Sequence, residues 1–317
     1  MKFLLAALAM LAALPAFAAE TIETGMLGSP NAPGWPWYIA QAKGYFDAAG
    51  IKLDISYAST ASGLVQQVTA GSVDLAADVG VVEPIHAVAK GAPVAILRII
   101  GQYSPYELVA KPTIASVKDL RGKTICIGGL IDINRVYLER IMQANGLKDG
   151  DYDITVAGNT AARFAALKSG AVDASMIAPP FNFFAEDAGF HSVGLILDYA
   201  KDLPFSATVV SDGYAAKHHD TLVRLVAAID KSTAWFDDPS HRDEALDILL
   251  KEMKSSDRTS VSRAYDYMRK IDYFAPGNAI SRAQIESLEK SMQALGDTGS
   301  NVAPDKVVAA GLTRLVN

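Results

Sequence analysis

The chain has 317 residues, of which 50% are hydrophobic and 20% are charged, and its formal net charge is −6. This composition excludes an intrinsically disordered chain, and the mixing of acidic with basic residues argues against binding to nucleic acid or to an anionic membrane surface. Because the length exceeds that of one ordinary domain, we expect two.

The N-terminal segment has the pattern of a secretory signal peptide. Lys2 supplies one early positive charge, an apolar run follows over residues 4–14, and Ala16 and Ala18 form a small-x-small cleavage site. The apolar run is shorter than the ~20 residues that span a bilayer, and no cysteine follows the cleavage site. We therefore predict a signal peptide over residues 1–18, no lipid anchor, and a free protein in the periplasm.

An internal repeat indicates two similar lobes. The two copies are residues 58–76 and 157–175. Gly71 aligns with Gly170 and Asp74 with Asp173, each pair 99 positions apart. Each copy reads as a helix that ends at a glycine and is followed by a short strand, which is typical of βαβ units. We predict an α/β fold of two lobes, each a doubly wound and mostly parallel sheet.

Two extended segments flanked by prolines are expected to connect the lobes. They cover residues 102–112 and 198–210. Two crossings make the first lobe discontinuous, so we predict lobe 1 over residues 19–104 and 205–317, lobe 2 over residues 105–204, and a two-segment hinge. Helical spacing of apolar residues predicts C-terminal helices packed on lobe 1. These predicted helices cover residues 221–230, 244–250, 282–295 and 304–315.

Five stretches, in a shared order, carry a resemblance to a known family. They are residues 37–51, 66–76, 90–94, 117–123 and 166–173, and they include A-x-x-K-G-Y-F followed by Q-x-x-x-G-x-x-D. The chain resembles the nitrate/sulfonate/taurine-type solute-binding proteins of ABC importers, which share their fold with thiamine-pyrimidine precursor binding proteins. The resemblance implies a type II-like two-lobe periplasmic binding protein, a monomer whose closed form docks on permease subunits at the inner membrane.

Ligands of such sheets lie beyond the carboxyl ends of the strands, which selects four groups of loops. The candidate ligand-binding residues are Trp35, Trp37, Thr60, Ser62, Gly80, Glu83, Gly129, Asp132, Arg135, Asn159, Thr160, Pro179 and Phe181. We expect at least one of the two tryptophans to face the cleft as an aromatic wall, the alternative being that both hold their helix to the core.

The polar candidates have two interpretations each. Thr60 and Asn159 begin the repeated helices, where backbone N–H groups bind anions, or where their side chains simply cap the helices. Arg135 suits a bidentate grip on a carboxylate or sulfonate, or is a solvated helix charge. Glu83 and Asp132 stabilise helix starts, or recognise an amine or hydroxyl of the ligand.

Motifs for catalysis and metal binding are absent from the sequence. It contains no Gly-x-Ser-x-Gly elbow, no His-Glu-x-x-His and no Walker loop. The five histidines are His86, His191, His218, His219 and His241, and none has metal-ligand spacing. The single cysteine, Cys126, lies in a predicted buried strand and is expected to be inert. We predict no catalytic residue, no metal and no cofactor.

These observations predict a substrate-binding protein that captures a small organic anion, a sulfonate or carboxylate with room for an aromatic body, for import. The alternative is a nitrogenous heterocycle such as a thiamine pyrimidine precursor, which Glu83 and Asp132 would suit. A related pyrimidine-synthase-like enzyme is a further alternative, which would need a cofactor lysine and a metal cluster. A receptor that presents its ligand to a sensor kinase has the same sequence features.

Overall fold

The computed structural model describes residues 19–297 and 301–317, and the predicted signal peptide lies outside the described residues. The strands are β1 Glu20–Leu27, β2 Ile51–Ala58, β3 Leu75–Gly80, β4 Val94–Gly101, β5 Glu107–Ala110, β6 Thr124–Ile127, β7 Asp153–Val156, β8 Ala174–Ile177, β9 His191–Leu195, β10 Ser206–Ser211, β11 Ala279–Ser281 and β12 Arg314–Val316. The helices are α1 Trp35–Ala42, α2 Tyr45–Ala48, α3 Ala61–Ala70, α4 Val82–Ala89, α5 Ile133–Ala144, α6 Thr160–Lys168, α7 Phe181–Asp187, α8 Asp212–Lys217, α9 His219–Asp237, α10 Arg242–Met253, α11 Arg258–Lys270, α12 Arg282–Ala294 and α13 Pro304–Val307. Within these residues no helix is both long and apolar enough to cross a bilayer.

Two five-stranded sheets have the same internal order. The first runs β2-β1-β3-β10-β4 and the second β7-β6-β8-β5-β9. In each, one strand is antiparallel to its neighbours, β10 in the first and β5 in the second, and the other pairs are parallel. Here lobe 1 denotes the first sheet with the helices packed on it, and lobe 2 the second sheet with α5, α6 and α7. The predicted α/β fold of two mostly parallel sheets is confirmed.

The repeat predicted from the sequence has a structural cause. Gly71 and Gly170 end α3 and α6 with positive φ angles of 72° and 81°, which glycine adopts without steric cost. Asp74 then accepts a 2.8 Å hydrogen bond from the backbone N–H of Glu23, and Asp173 accepts one of 3.0 Å from that of Thr124. Each aspartate therefore ties the helix–strand turn to the neighbouring strand of its own sheet, β1 in the first sheet and β6 in the second.

The chain passes between the sheets twice. β4 ends at Gly101 in the first sheet and β5 begins at Glu107 in the second. The return follows β9, which ends at Leu195, and reaches β10 at Ser206. The first predicted crossing segment, residues 102–112, thus also contains a strand of the second sheet.

The C-terminal region differs from prediction at two places. The predicted helix over residues 304–315 is wrong beyond Val307, because Val308 bridges Ile96 of β4 and Ala309 donates a 2.9 Å hydrogen bond to the Ile96 carbonyl. Pairing with the sheet edge replaces the helix, and Gly311 then turns the chain toward β12 at φ 75°. Helix α11 was not among the predicted helices.

Candidate functional site

A cleft between the lobes opens at the carboxyl ends of the strands. Its enclosed volume is about 60 Å³, and both sheets contribute to its lining. Its polar lining residues are Asn31, Asp78, Glu83 and Ser206 from lobe 1, and Tyr106, Asp132, Asn134, Asn159, Thr160 and Arg163 from lobe 2. A ligand held here would touch both lobes.

Two glycines let the lobes approach closely at the mouth of the cleft. A Cβ atom at Gly28 of lobe 1 would lie 2.7 Å from the Cβ of Asn159 in lobe 2. A Cβ at Gly158 of lobe 2 would lie 2.7 Å from the carbonyl oxygen of Ser59 in lobe 1. These distances are shorter than real Cβ contacts, so any side chain at either position would hold the lobes apart. The structure is therefore a closed arrangement of the two lobes.

Arg163, on α6, is the buried cation of the cleft lining. Its side chain is 1% exposed, and Nε donates a 2.7 Å hydrogen bond to the carbonyl oxygen of Met176. Nη2 donates to Tyr106 Oη at 3.0 Å and to Thr160 Oγ1 at 2.9 Å, and Nη1 donates to the carbonyl oxygen of Gly158. Oxygen atoms of lobe 2 thus already engage each nitrogen of this guanidinium.

Asp132 and Glu83 bring a carboxyl group from each lobe to the cleft. Asp132 caps α5, where Oδ1 accepts a 2.7 Å hydrogen bond from the backbone N–H of Asn134. Burial raises the pKa of Asp132, while the hydrogen bonds from Asn134 and the charge of Arg163 act in the opposite direction. Burial, and then the neighbouring Asp132, hold the pKa of Glu83 well above its ordinary value. The two carboxyl groups therefore disfavour each other's ionisation.

Asp78, at the end of β3, is a third carboxyl group at the cleft. Burial raises its pKa to about 7, against a hydrogen bond with Ser206 that lowers it. Its Oδ1 is buried and has no hydrogen-bond partner among the described residues. One buried cation thus lies among three carboxyl groups in the described lining.

Six of the thirteen predicted residues line this cleft. They are Gly80, Glu83, Asp132, Asn159, Thr160 and Pro179. Gly129 adjoins the site, since a Cβ there would lie 3.3 Å from the Cβ of Asp132. These residues were predicted from the rule that ligands bind beyond the carboxyl ends of the strands.

The two tryptophans lie in the core of lobe 1 and do not line the cleft. Trp35 is fully buried, donates a 2.8 Å hydrogen bond from Nε1 to the carbonyl oxygen of Ala245, and packs on Phe236 at 5.2 Å between ring centroids. Trp37 is 1% exposed and packs on Phe46 at 5.9 Å. The expected aromatic wall is not formed, because the helix that carries both indoles buries them against its neighbours.

The remaining predicted residues have other partners. Thr60 caps α3 by accepting a 3.1 Å hydrogen bond from the N–H of Gly63, and Ser62 lines a separate groove beside α4. Arg135 forms a 3.0 Å ion pair with Asp149. Phe181 packs inside lobe 2 on Phe164 and Phe184, at 6.0 and 5.4 Å between centroids.

Sequence reasoning missed several residues that line the cleft. Asp78, Tyr106, Asn134, Arg163 and Ser206 were not among the candidates. The repeat contained a usable signal for Arg163, because its partner 99 positions earlier is Leu64, a fully buried core residue. A charge at a position that is apolar in the other copy marks a departure from the shared frame.

Potential metal ligands and the single thiol are described by two observations. Within the described residues no group of three or more His, Cys, Asp or Glu side chains is arranged to hold a metal ion. Cys126 is buried in β6, and burial raises the pKa of its thiol, which disfavours the nucleophilic thiolate.

Comparison with known proteins identifies similar chains. A family model described as NMT1/THI5 like matches residues 31–241. YtlA of Bacillus subtilis, assigned as a binding protein, is 22% identical over 281 residues, 86% of this chain and 83% of YtlA. The riboflavin-binding protein RibY of Chloroflexus aurantiacus is 30% identical over 144 residues, 44% of this chain and 41% of RibY. The fold is that of the alkanesulfonate-binding protein SsuA from Xanthomonas axonopodis pv. citri bound to MOPS, with TM-score 0.74, 17% identity, and 96% and 100% of the two chains covered.

Proposed function

The chain belongs to the NMT1/THI5-like family, and from that premise we propose that it is the substrate-binding protein of an ABC importer. It captures a small organic ligand between its lobes in the periplasm. The closed form then delivers the ligand to permease subunits at the inner membrane. The YtlA and SsuA likenesses support a binding role, and the signal-peptide pattern supports export.

The observation that carries this proposal is the closed cleft lined by both lobes. A ligand that contacts Glu83 of lobe 1 and Arg163 or Asp132 of lobe 2 makes more contacts in the closed form than in an open one. Since a ligand shifts an equilibrium only by its differential affinity for the two states, such contacts favour closure. A permease that recognises the closed form would then select loaded protein.

The charge of the cleft bears on the ligand class. An organic anion, predicted from the sequence, would rely on Arg163, whose N–H groups are already donated to lobe 2 oxygens. The same anion would lie beside Asp78, Glu83 and Asp132. This arrangement supports the second candidate, a nitrogenous ligand that offers hydrogen-bond donors.

A thermal-shift screen of the unfolded and refolded protein tests the proposal. Refolding removes carried-over ligand, and the panel contains sulfonates, carboxylates, nitrate, amino acids, pyrimidines and flavins. A ligand at 100 times its dissociation constant adds about 2.7 kcal/mol to the free energy of unfolding, which raises Tm by a few degrees. We expect a saturable shift with one chemical class and a compound that is recovered unchanged.

Chemical conversion of a panel compound, with no compound recovered intact, would instead favour the enzyme alternative. Absence of any shift, together with no compound retained by protein purified natively, would contradict the binding role.

A further inference from the structure

A second contact between the lobes lies outside the cleft. Helix α11 of lobe 1 packs on α10 of the same lobe and reaches across to α7 of lobe 2. The facing residues are Ser260, Arg263 and Tyr267 on α11, and Phe183, Glu186 and Asp187 on α7. Residues three or four positions apart share one face of a helix, so one face of α11 meets one face of α7. All six residues lie outside the cleft lining.

Arg263 is at the centre of this contact. Its guanidinium donates hydrogen bonds to Glu186 Oε2 and, at 3.3 Å, to Asp187 Oδ1. Its Cζ atom also lies 4.3 Å from the centroid of the Phe183 ring, within the range of a cation–π interaction. Ser260 Oγ donates a 3.2 Å hydrogen bond to Asp187 Oδ2. One cation of lobe 1 thus contacts two carboxylates and one aromatic ring of lobe 2.

The acidic residues of α7 are not part of the frame that the two lobes share. Glu186 and Asp187 align, 99 positions earlier, with Ala87 and Val88 of α4 in lobe 1. The repeated unit therefore folds without carboxylates at these two positions. In lobe 2 the same positions carry the negative charges that pair with α11.

The contact lies where a movement of the lobes would break it. The chain after α11 is bonded to the first crossing segment, since the backbone N–H of Gln102 donates a 2.9 Å hydrogen bond to the carbonyl oxygen of Tyr273. Arg263 lies about two helical turns, or about 10 Å, before the end of α11 at Lys270. A rotation of lobe 2 about the crossing segments that opens the cleft would therefore move α7 away from Arg263.

Resting on the proposed function, we propose that the contact between α11 and α7 is a latch that favours the closed lobes and so sets ligand affinity from outside the cleft. Arg263 is a positioning residue, because it acts on the arrangement of the lobes and lies outside the ligand site. The apparent dissociation constant rises as the fraction of closed protein falls, so loss of the latch weakens the binding of any cleft ligand. Because the ion pairs are partly exposed, salt also weakens the latch.

Pulsed electron paramagnetic resonance on the full refolded chain without ligand tests the latch. Nitroxide labels are attached at Lys52→Cys and Asp153→Cys, exposed positions on the edge strands β2 and β7, while the native Cys126 is buried. We expect two distances, a shorter one from closed protein and a longer one from open protein. Arg263→Met should lower the ratio of closed to open protein about three- to tenfold, because two ion pairs and a ring contact are lost.

Arg258→Met is the matched control for that change. Arg258 lies on the same helix, but its ion pairs are with Asp243 and Asp247 of α10, inside lobe 1. This variant should keep the ratio of closed to open protein that the parent has. With a ligand from the screen, Arg263→Met should raise the apparent dissociation constant in proportion to the closed fraction that it loses, and Arg258→Met should leave the constant unchanged.

Two further measurements separate a latch from a general structural role. Glu186→Gln should also lower the ratio of closed to open protein, and its combination with Arg263→Met should lower the ratio no further than Arg263→Met alone, since both residues act through one contact. About 1 M NaCl, which shortens the Debye length to about 3 Å, should lower the ratio in the parent and not in Arg263→Met.

The inference is overturned if Arg263→Met leaves the distances unchanged, whether the empty parent is closed or open throughout. It is also overturned if Arg258→Met lowers the ratio of closed to open protein equally, or if the effects of Arg263→Met and Glu186→Gln add. The distances are measured without ligand, so their outcome is independent of the thermal-shift screen. Failure of the latch and failure of the proposed function are therefore distinguishable.

Discussion

The two lobes share one frame and differ where they face each other. Asp74 and Asp173 occupy aligned positions, and each accepts a hydrogen bond from the backbone of the neighbouring strand, β1 or β6. By contrast, Leu64 is a core residue of lobe 1 while its aligned partner Arg163 is the buried cation of the cleft. The repeat thus keeps the residues that hold the turns, and Arg163, where the copies differ, lines the cleft.

The first turns of α4 and α7 also differ between the two lobes. Glu83 and Asn182 lie 99 positions apart, and both are buried. Asn182 Nδ2 donates a 2.7 Å hydrogen bond to Glu107 Oε1 inside lobe 2, whereas Glu83 has no partner in another described residue. The side chain at this position thus has an internal partner for its amide nitrogen in lobe 2, whereas in lobe 1 neither side-chain oxygen is bonded to another described residue.

The largest expected effect on stability comes from replacing Arg163 with leucine, the residue at the aligned position 64 of lobe 1. Arg163→Leu gives lobe 2 the residue of lobe 1, and removes the donors of the Met176 and Gly158 carbonyl groups and the cation beside Asp132. We expect the free energy of unfolding to fall by about 3–5 kcal/mol, measured by urea denaturation, because a buried charge network loses one member.

Arg140→Leu is the control for that change. Arg140 forms a partly exposed ion pair with Asp202, so the expected change is within about 1 kcal/mol. Equal stability of Arg163→Leu and the parent would show that Arg163 is not structurally engaged in the cleft wall.

The next effect is a pH-dependent change in stability caused by Asp78. Asp78 aligns with Ile177, an apolar residue, and its pKa is raised to about 7 in the folded protein. A raised carboxyl pKa means that stability decreases as pH rises from about 4 through 7, because ionisation of the buried group is disfavoured. Asp78→Asn should therefore be about 2–4 kcal/mol more stable than the parent at pH 8, with no difference near pH 4. A pH-independent difference would contradict this.

A smaller effect is expected at the positions that the lobes share. Asp74→Ala and Asp173→Ala each remove an acceptor of a backbone N–H, so each should lower the free energy of unfolding by about 1–2 kcal/mol. The Asp173 variant should lose more, because Asp173 also pairs with Lys111 at 2.9 Å.

The Asp173 contribution should fade in acid. A backbone N–H from Thr124 and then Lys111 lower the pKa of Asp173, so its stabilisation is lost as pH falls below its unfolded value. Ligand affinity should stay unchanged in both aspartate variants. A tenfold loss of affinity in either variant would show that residues shared by the two lobes also contribute to ligand binding.

The smallest expected effect concerns closure. Gly80→Ala places a Cβ 2.7 Å from Glu83 Oε2 in the same lobe and 3.1 Å from Ile133 Cγ2 of lobe 2, so both side chains must shift at the lobe junction. We expect affinity to fall about tenfold, or about 1.4 kcal/mol, by calorimetry with a ligand from the screen. Gly213→Ala in α8 is the matched control, since a Cβ there has no neighbour within 4 Å, and affinity should not change.

The two sheets and the loops that line the cleft could be predicted from the sequence. The repeat gave both sheets, because glycine stops and buried strands are local signals that one chain displays twice. Strand ends then located Glu83, Asp132, Asn159 and Thr160 in the cleft without any side-chain geometry. The order and direction of the strands determine which loops lie together at one end of the sheet.

What the sequence could not supply is the direction of each side chain. Trp35 and Trp37 follow a strand end as cleft residues do, yet their helix turns them into the core. Arg163 aligns with Leu64 in the repeat, which marks its position as unusual, but the direction of its side chain follows from tertiary packing. The end of the predicted helix at Val307 likewise depends on pairing with Ile96, a residue far away in the sequence.

Hydrogen–deuterium exchange on the full chain, with and without a saturating ligand from the screen, tests the account most directly. The account predicts protection on both sides of the cleft, over residues 78–83 in lobe 1 and over residues 128–134 and 158–163 in lobe 2. Residues 35–37 and the groove beside Ser62 should show no change beyond that of the whole protein. Protection confined to one lobe, or centred on that groove, would contradict the claim that the ligand is held between the lobes.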